Sequence, residues 1–170
     1  SKLERFKAKV LNGVLRLDPA IDVSELNIRP EEIKCQMGTH EQTGEWGAYY
    51  MVRNHNFYST AVLAPYTPPT FTTQANGCVA TVNYTYHLAW TKAFAEQVVA
   101  GYDDVMRLIR EDDTDFAKIL KFHDWIVKNV AYSQLANYAD FAVGALANKK
   151  AVCAGYARLY QFLLEQEEIE

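Results

Sequence analysis

The sequence predicts an α+β protein in which N-terminal helices and a small antiparallel sheet precede a helical C-terminal part. Apolar residues recur at helical spacing near both ends of the chain. Aromatic and β-branched residues concentrate in the middle, where Pro and Gly residues also interrupt the pattern. We therefore expect a helical and antiparallel β prologue over residues 1–87 and a helical region over residues 88–170.

The composition and charge of the chain argue against nucleic-acid binding and against a membrane-spanning helix. The chain has 170 residues, of which 49% are hydrophobic and 22% are charged, and these values are typical of a globular protein. The net charge is −4 and no basic stripe is present, so nucleic-acid binding is not expected. No segment approaches the roughly 20 apolar residues that a membrane-spanning helix needs, and the first residues lack the apolar core of a signal peptide.

The first 37 residues predict helices. An amphipathic helix is predicted by apolar residues at helical spacing, and we expect it to end near Asp18-Pro19. These residues are Leu3, Phe6, Val10, Val14 and Leu15. The following "IDVSELNIRPEEIKCQM" predicts a connector and a second short helix, because a proline and two glutamates suit a first helical turn.

The middle of the chain predicts strands. The stretches "GAYYMVRNHNFYSTAVLAPY" and "GCVATVNYTY" are rich in aromatic and β-branched residues with partial alternation. Asn76-Gly77 is suited to a tight hairpin turn. The prolines of "APYTPPTFTT" exclude a central strand, so this stretch is expected to be an edge strand or a loop. We expect an antiparallel sheet of two to four strands.

The last part of the chain predicts three helices. "AWTKAFAEQVVAGYDDVMRLIRED" forms the first and "DTDFAKILKFHDWIVKNVAY" the second, which Asp113 or Thr114 can cap. A loop with one short helical turn follows, and the final helix begins near Val152. The inner face of the second helix is expected to hold the residues Phe116, Ile119, Leu120, His123, Ile126 and Val127.

Cys153 is the candidate functional residue, because it falls in the first turn of the final helix. Unpaired N–H groups and the positive end of the helix dipole stabilise a thiolate there. The small Ala154 and Gly155 leave room for a substrate carbonyl, so the layout suits a thiol nucleophile. The alternative is a buried structural cysteine, since free cysteine is often a core residue.

The segment "DFAVGALANKKAVCAGYARLYQFLLEQ" resembles the core motif of the transglutaminase-like superfamily, and its bacterial branch most closely. The upstream "HDWI" at residues 123–126 resembles the helix that precedes this motif in the family. The resemblance implies a papain-like fold in which the cysteine forms a thioester with a glutamine side chain or a peptide carbonyl. Amine or water then releases the acyl group, giving crosslinking or hydrolysis of a protein or peptide substrate. It also implies a secreted or surface bacterial protein.

The family pattern places a histidine and an aspartate after the cysteine, but residues 154–170 contain neither. We therefore expect a domain truncated after the cysteine-bearing helix, inactive by itself, with exposed apolar surface and a tendency to self-associate. His123 is expected to be a partly buried structural residue near Asp124 rather than the base. Weak candidates for oxyanion donors are Tyr132, Gln134 and Tyr138.

Other motifs indicate no cofactor and no metal. The chain has no C-x-x-C pair, P-loop or Rossmann fingerprint, and whether Cys35 and Cys78 pair is left open. A non-catalytic protein- or carbohydrate-binding surface module with the same fold is the alternative function, because tyrosines are frequent in the predicted β region.

Overall fold

The computed structural model describes residues 1–170 except the side chain of Phe57. The chain forms two compact units, Ser1–Leu88 and Ala89–Glu170. Helices and small sheets occur together along the chain, which confirms the predicted α+β class. Among the described residues, no helix has both the length and the apolar character needed to cross a membrane.

The first unit begins with helix α1, Lys2–Leu15. Ser1 caps it: the Ser1 hydroxyl accepts from the Glu4 N–H, and the Glu4 carboxylate accepts from the terminal amine at 3.0 Å. The helix is as predicted and Phe6, Val10 and Val14 of its apolar face are buried, but Leu15 is 65% exposed.

The region after α1 differs from the prediction of a second helix. Strand β1, Ile21–Asp22, is followed by short 3₁₀ turns at Ser24–Leu26 and Pro30–Glu32. Strand β2, Lys34–Met37, then pairs antiparallel with strand β3, His40–Thr43. Pro30 does start a turn as expected, but the backbone of Ile33 is extended and ends it after one turn.

The first predicted strand region is helical, so that prediction is wrong. Helix α2 covers Gly44–Arg53 and helix α3 covers Phe57–Val62. The buried residues of α2 are spaced as on a helix face, and include Ala48, Tyr49, Met51 and Val52. Only Val52 in α2 is β-branched, and the aromatic content alone had suggested a strand.

The second predicted strand region is confirmed. Strands β4, Thr70–Thr73, and β5, Val79–Asn83, join β1 in an antiparallel sheet of order β1-β5-β4. The hairpin turn contains Gly77 with φ of +81°, and the Asn76 side chain accepts from the Cys78 N–H at 2.9 Å. The proline-flanked β4 is an edge strand, as the sequence indicated.

The second unit contains the predicted C-terminal helices. They are α4, Lys92–Met106; α5, Asp115–Asn129; α6, Ala142–Asn148; and α7, Cys153–Gln166. Strand β6, Ala131–Tyr132, pairs in parallel with strand β7, Lys150–Ala151. Thr114 caps α5 through the Ala117 N–H at 3.1 Å, whereas Asp113 accepts from Lys121 Nζ at 2.6 Å.

The inner face of α5 is the predicted one only in part. Ile126 is buried as predicted, together with Phe122 and Trp125, whereas Phe116 is 70% and Val127 64% exposed. Both sets have helical spacing, so periodicity alone could not tell which face packs inward. An apolar stripe of α5 therefore remains at the surface of this unit.

Candidate active site around Cys153

Cys153 is the first residue of α7, and its side chain is exposed. Val152 precedes it with an extended backbone (φ −93°, ψ 178°) and gives the helix no side-chain cap. The first N–H groups of an α-helix have no partner within the helix. The thiol therefore lies at the positive end of the α7 dipole, as the sequence predicted.

The backbone carbonyl of Ala139 fixes the start of α7. It accepts a hydrogen bond from the Val152 N–H at 2.9 Å. It also lies against Gly155, where an added Cβ would be 2.2 Å from the Ala139 oxygen. Gly155 is buried, so its lack of a side chain serves this close packing and not, as predicted, substrate access.

The two-residue strands β6 and β7 hold the chain just before Cys153. Ser133 N–H donates to the Ala151 carbonyl at 3.0 Å, and Ala131 N–H donates to the Lys149 carbonyl at 2.9 Å. Lys149 has a left-handed backbone (φ 56°) and places its Nζ 4.3 Å from the centre of the Trp125 ring. The segment just before Cys153 therefore contacts α5 through Lys149 and is hydrogen-bonded to β6.

An open groove of about 490 Å³ runs between α5 and α7, and Cys153 lines it. The α7 residues on it recur at i, i+3, i+4 and i+7 from Cys153, which is one helix face. Neighbouring residues of α5 and Tyr132 of β6 form the opposite side. The full lining is His123, Ile126, Val127, Tyr132, Cys153, Tyr156, Ala157 and Tyr160.

Two tyrosines of this face are hydrogen-bonded across to α5 and the residue after it. The Tyr156 hydroxyl donates to the Val130 carbonyl at 2.7 Å, and the Tyr160 hydroxyl donates to the Ile119 carbonyl at 3.0 Å. Desolvation by burial raises the pKa of Tyr160. Neither tyrosine is among the site residues predicted from the sequence, although helical spacing of three and seven positions from Cys153 identifies both.

His123 lies on the same groove, and the prediction that it is partly buried is wrong. Its side chain is exposed, because α5 turns a different face inward. Its Nδ1 is 3.1 Å from Oδ1 of Asp124, the neighbour that the sequence indicated. Among the described residues, no hydrogen bond joins the imidazole to the thiol of Cys153.

The candidate oxyanion donors are separated in the structure. Tyr132 is on the groove and 62% exposed. Gln134 is exposed and does not line the groove. Tyr138 is buried with its ring 5.1 Å from Phe94 and 6.0 Å from Trp90, so it belongs to an aromatic core. Of the three candidate oxyanion donors, only Tyr132 lines the groove with Cys153.

The remaining thiols differ from Cys153 in environment. Cys78 is buried, and Cys35 is half-buried. Desolvation raises the pKa of Cys35, and the Lys7 ammonium opposes this in part. All three cysteines are free thiols, and no group of three or more metal-ligating side chains occurs within the part of the chain that the structure describes.

Residues 103–170 match the family model described as the transglutaminase-like superfamily. The match includes the end of α4 and all of α5, α6 and α7, so it contains Cys153 and every residue of its groove. It supports the superfamily resemblance that the sequence predicted. Searches of curated proteins and of solved structures returned no match to the chain.

Proposed function

We propose that Cys153 is the nucleophile of a cysteine-dependent acyl transfer or peptide hydrolysis. The observation that carries the proposal is the exposed thiol at the first position of α7, within the segment that matches the transglutaminase-like family. A rigid helix start, held by Ala139 and by β7, presents the sulfur with a fixed backbone geometry. Cysteine catalysis in this family is consistent with that placement.

In the proposed reaction, Cys153 Sγ attacks the carbonyl carbon of an amide. A C–S bond forms, the C–N bond breaks, and the thiol proton ends on the departing nitrogen. A glutamine side chain would release ammonia, and a peptide would release an amine. Water then gives a carboxylic acid, or an amine gives a new amide, and the thiol is regenerated. N–H groups at the start of α7 are available to the carbonyl oxygen as negative charge develops on it.

We also propose that these 170 residues do not catalyse repeated turnover by themselves. A general base must take the thiol proton, and among the described residues no hydrogen bond joins the imidazole of His123 to the thiol of Cys153. Residues 154–170 supply no histidine. The chain should therefore accept an activated acyl group without catalysing repeated release.

The test is acylation by a p-nitrophenyl ester, followed by intact-mass and peptide-mass measurement. We expect one acyl group on Cys153, sensitive to hydroxylamine, and no steady-state release of p-nitrophenol after the first equivalent. Cys153→Ala should abolish the adduct, while Cys35→Ala is the matched control that should retain it. Acylation that survives Cys153→Ala, or that falls mainly on Cys35, would contradict the assignment.

A second proposal is that the chain self-associates through the exposed apolar stripe of α5. Phe116 is 70% and Leu120 45% exposed on this helix, and exposed clusters of this kind often mark contact surfaces. Sedimentation velocity over a range of chain concentrations tests this. A sedimentation coefficient that is independent of concentration would rule it out, and Phe116→Ser should abolish any concentration dependence.

Origin and location are proposed from the resemblance alone. The motif around Cys153 resembles that of bacterial members of the family, and on this ground we propose a bacterial protein that is secreted or on the cell surface. Fractionation of the source cells with an antibody to this chain is the test. Recovery in the cytosolic fraction alone would contradict it.

The alternative, a non-catalytic binding module, has one observation in its favour. Trp46 is 39% exposed and stacks on Tyr50 at 5.9 Å, a pair that can contact a sugar ring or an apolar peptide. Tyr84 and Tyr86 of the predicted β region do not add to this surface, because Tyr84 is buried and the hydroxyls of both bond to backbone carbonyls. Saccharide or peptide quenching of tryptophan fluorescence, lost in Trp46→Ala, would support this function, and no quenching would exclude it for the ligands tried.

A further inference from the structure

The groove beside Cys153 is long enough to hold more than the reacting carbonyl. Tyr160 is seven positions after Cys153 on α7, which corresponds to roughly 10 Å along the helix axis. An extended peptide advances about 3.3 Å per residue, so about three residues of a substrate span this length. Cys153 and Tyr132 lie together on the groove, and Tyr160 lies two helical turns further on.

The chemistry of the lining favours a neutral, apolar occupant. Its α5 side contributes Ile126 and Val127 together with His123, and its α7 side contributes Ala157 and two tyrosines. The hydroxyls of those tyrosines donate to backbone carbonyls. No lysine, arginine, aspartate or glutamate of the described residues lines the groove. Apart from His123 on the α5 side, the lining offers no ion-pair partner to a charged side chain, which would lose hydration there with little compensation.

We propose that this groove is a subsite for an uncharged aromatic or aliphatic side chain of the acyl donor, and that Ala157 sets its size. The proposal rests on the function proposed for Cys153, because it assigns the groove to the substrate of that thiol. Ala157 is one helical turn from Cys153 on the same face and has the smallest side chain of the lining. A larger residue there would fill the space between α5 and α7.

The experiment uses two chloroacetamides that share one electrophile and differ in their amine part. One is derived from phenethylamine and the other from taurine, which carries a sulfonate. In each reaction Sγ displaces chloride, a C–S bond forms, and the thiol proton passes to the buffer. Second-order rate constants at Cys153 are measured by mass spectrometry in the 170-residue chain. Each is divided by the rate constant of a short unstructured cysteine peptide with the same probe.

We expect the normalised ratio of the phenethyl to the sulfonate probe to be about tenfold at Cys153, because the groove removes the phenyl ring from water. Ala157→Leu should reduce the ratio to about one. Gln161→Leu is the matched control, since Gln161 is an exposed residue of the same helix outside the groove, and the ratio should be unchanged. Circular dichroism checks that each variant keeps its helix content.

A ratio near one in the unaltered chain would overturn the subsite, and so would a tenfold ratio that persists in Ala157→Leu. The rates are measured at a chain concentration at which sedimentation shows only monomer, because Val127 belongs both to the groove and to the exposed stripe of α5. These outcomes are separate from the acylation test. The expected tenfold ratio with no thioester at Cys153 would reject the proposed reaction but support the subsite. A thioester at Cys153 with a ratio of about one would support the reaction and reject the subsite.

Discussion

The hydroxyl of Tyr156 donates a 2.7 Å hydrogen bond to the carbonyl of Val130. Val130 follows the last residue of α5 and leads directly into β6, while Tyr156 is three residues after Cys153. One bond therefore links the first turn of α7 to the point where α5 passes into the strand beside the thiol. The candidate site is thus positioned from two directions, since β6 also pairs with the β7 residues that precede Cys153.

Removing this bond should destabilise the second unit. We expect Tyr156→Phe to lower the free energy of unfolding by about 1 kcal/mol, because a hydrogen bond to a partly buried carbonyl is lost while the ring remains. Urea unfolding followed by circular dichroism measures it. Tyr66→Phe is the matched control, because Tyr66 is 78% exposed, and it should change the free energy by less than about 0.5 kcal/mol. Equal effects of the two substitutions would contradict the role of Tyr156.

Gly155→Ala should be destabilising even though alanine is the better helix former. The added Cβ would lie 2.2 Å from the Ala139 oxygen and 2.8 Å from the Ala151 Cβ, so backbone must shift. Overpacking of this kind costs about 1–3 kcal/mol, against about 1 kcal/mol gained in helix propensity. We expect a net loss of up to about 2 kcal/mol in urea unfolding. Gln161→Ala is the control, because at this exposed position of the same helix it changes helix propensity alone. An increase in stability in Gly155→Ala would show that α7 can move away from Ala139.

The parts that local sequence could predict are those that local chemistry decides. Thr114 caps α5 because a side-chain oxygen before a helix can bond to the first turn. Asn76-Gly77 forms the hairpin turn because Gly77 adopts a positive φ. The start of α7 at Cys153 was likewise predicted to within one residue.

The parts that local sequence could not predict depend on tertiary packing. Tyr49 and Tyr50 suggested a strand, yet α2 is helical and Tyr49 is buried with ring contacts to both Trp46 and Tyr50. The inner face of α5 is set by Phe122 and Trp125, and the indole of Trp125 donates to Asp104 of α4 at 2.9 Å. Because that choice turns His123 outward onto the groove, its exposure could not be read from the helix pattern alone.

The three thiols should react with iodoacetamide in the order Cys153, Cys35, Cys78, because their exposure falls in that order. Peptide mass spectrometry on the native chain at neutral pH measures the three rates. Faster labelling of Cys78 than of Cys153 would show that Cys153 is not the accessible thiol of the structure.

The pH dependence at Cys35 has a defined sign. Burial raises its pKa, so its thiolate is less populated at a given pH and its labelling midpoint should lie above that of an unstructured cysteine peptide. Lys7 lowers the pKa, so Lys7→Gln should move the midpoint further up. Lys34→Gln is the control, since Lys34 forms its ion pair with Glu41. A midpoint that falls in Lys7→Gln would contradict this electrostatic account.

Stability should decline in alkali because of the buried phenols Tyr84 and Tyr86. Burial raises the pKa of both phenols. A neighbouring group raises each pKa further: Tyr86 acts on Tyr84, and Asp18 acts on Tyr86. In the unfolded chain a phenol loses its proton near pH 10. The stabilisation is therefore fully present below about pH 10 and is lost as the pH rises towards the higher folded values, since the unfolded state releases protons first.

Tyr84→Phe isolates one of these phenols. At neutral pH it should cost about 1 kcal/mol, because the buried hydroxyl donates to the Ala48 carbonyl at 2.9 Å. Above pH 10 it should reduce the fall of the unfolding free energy by about 1.4 kcal/mol per pH unit, the contribution of one proton. Urea unfolding between pH 8 and 11 measures both effects, with the exposed Tyr66→Phe as control. Parallel pH profiles for Tyr84→Phe and the unaltered chain would show that Tyr84 ionises equally in the folded and unfolded states.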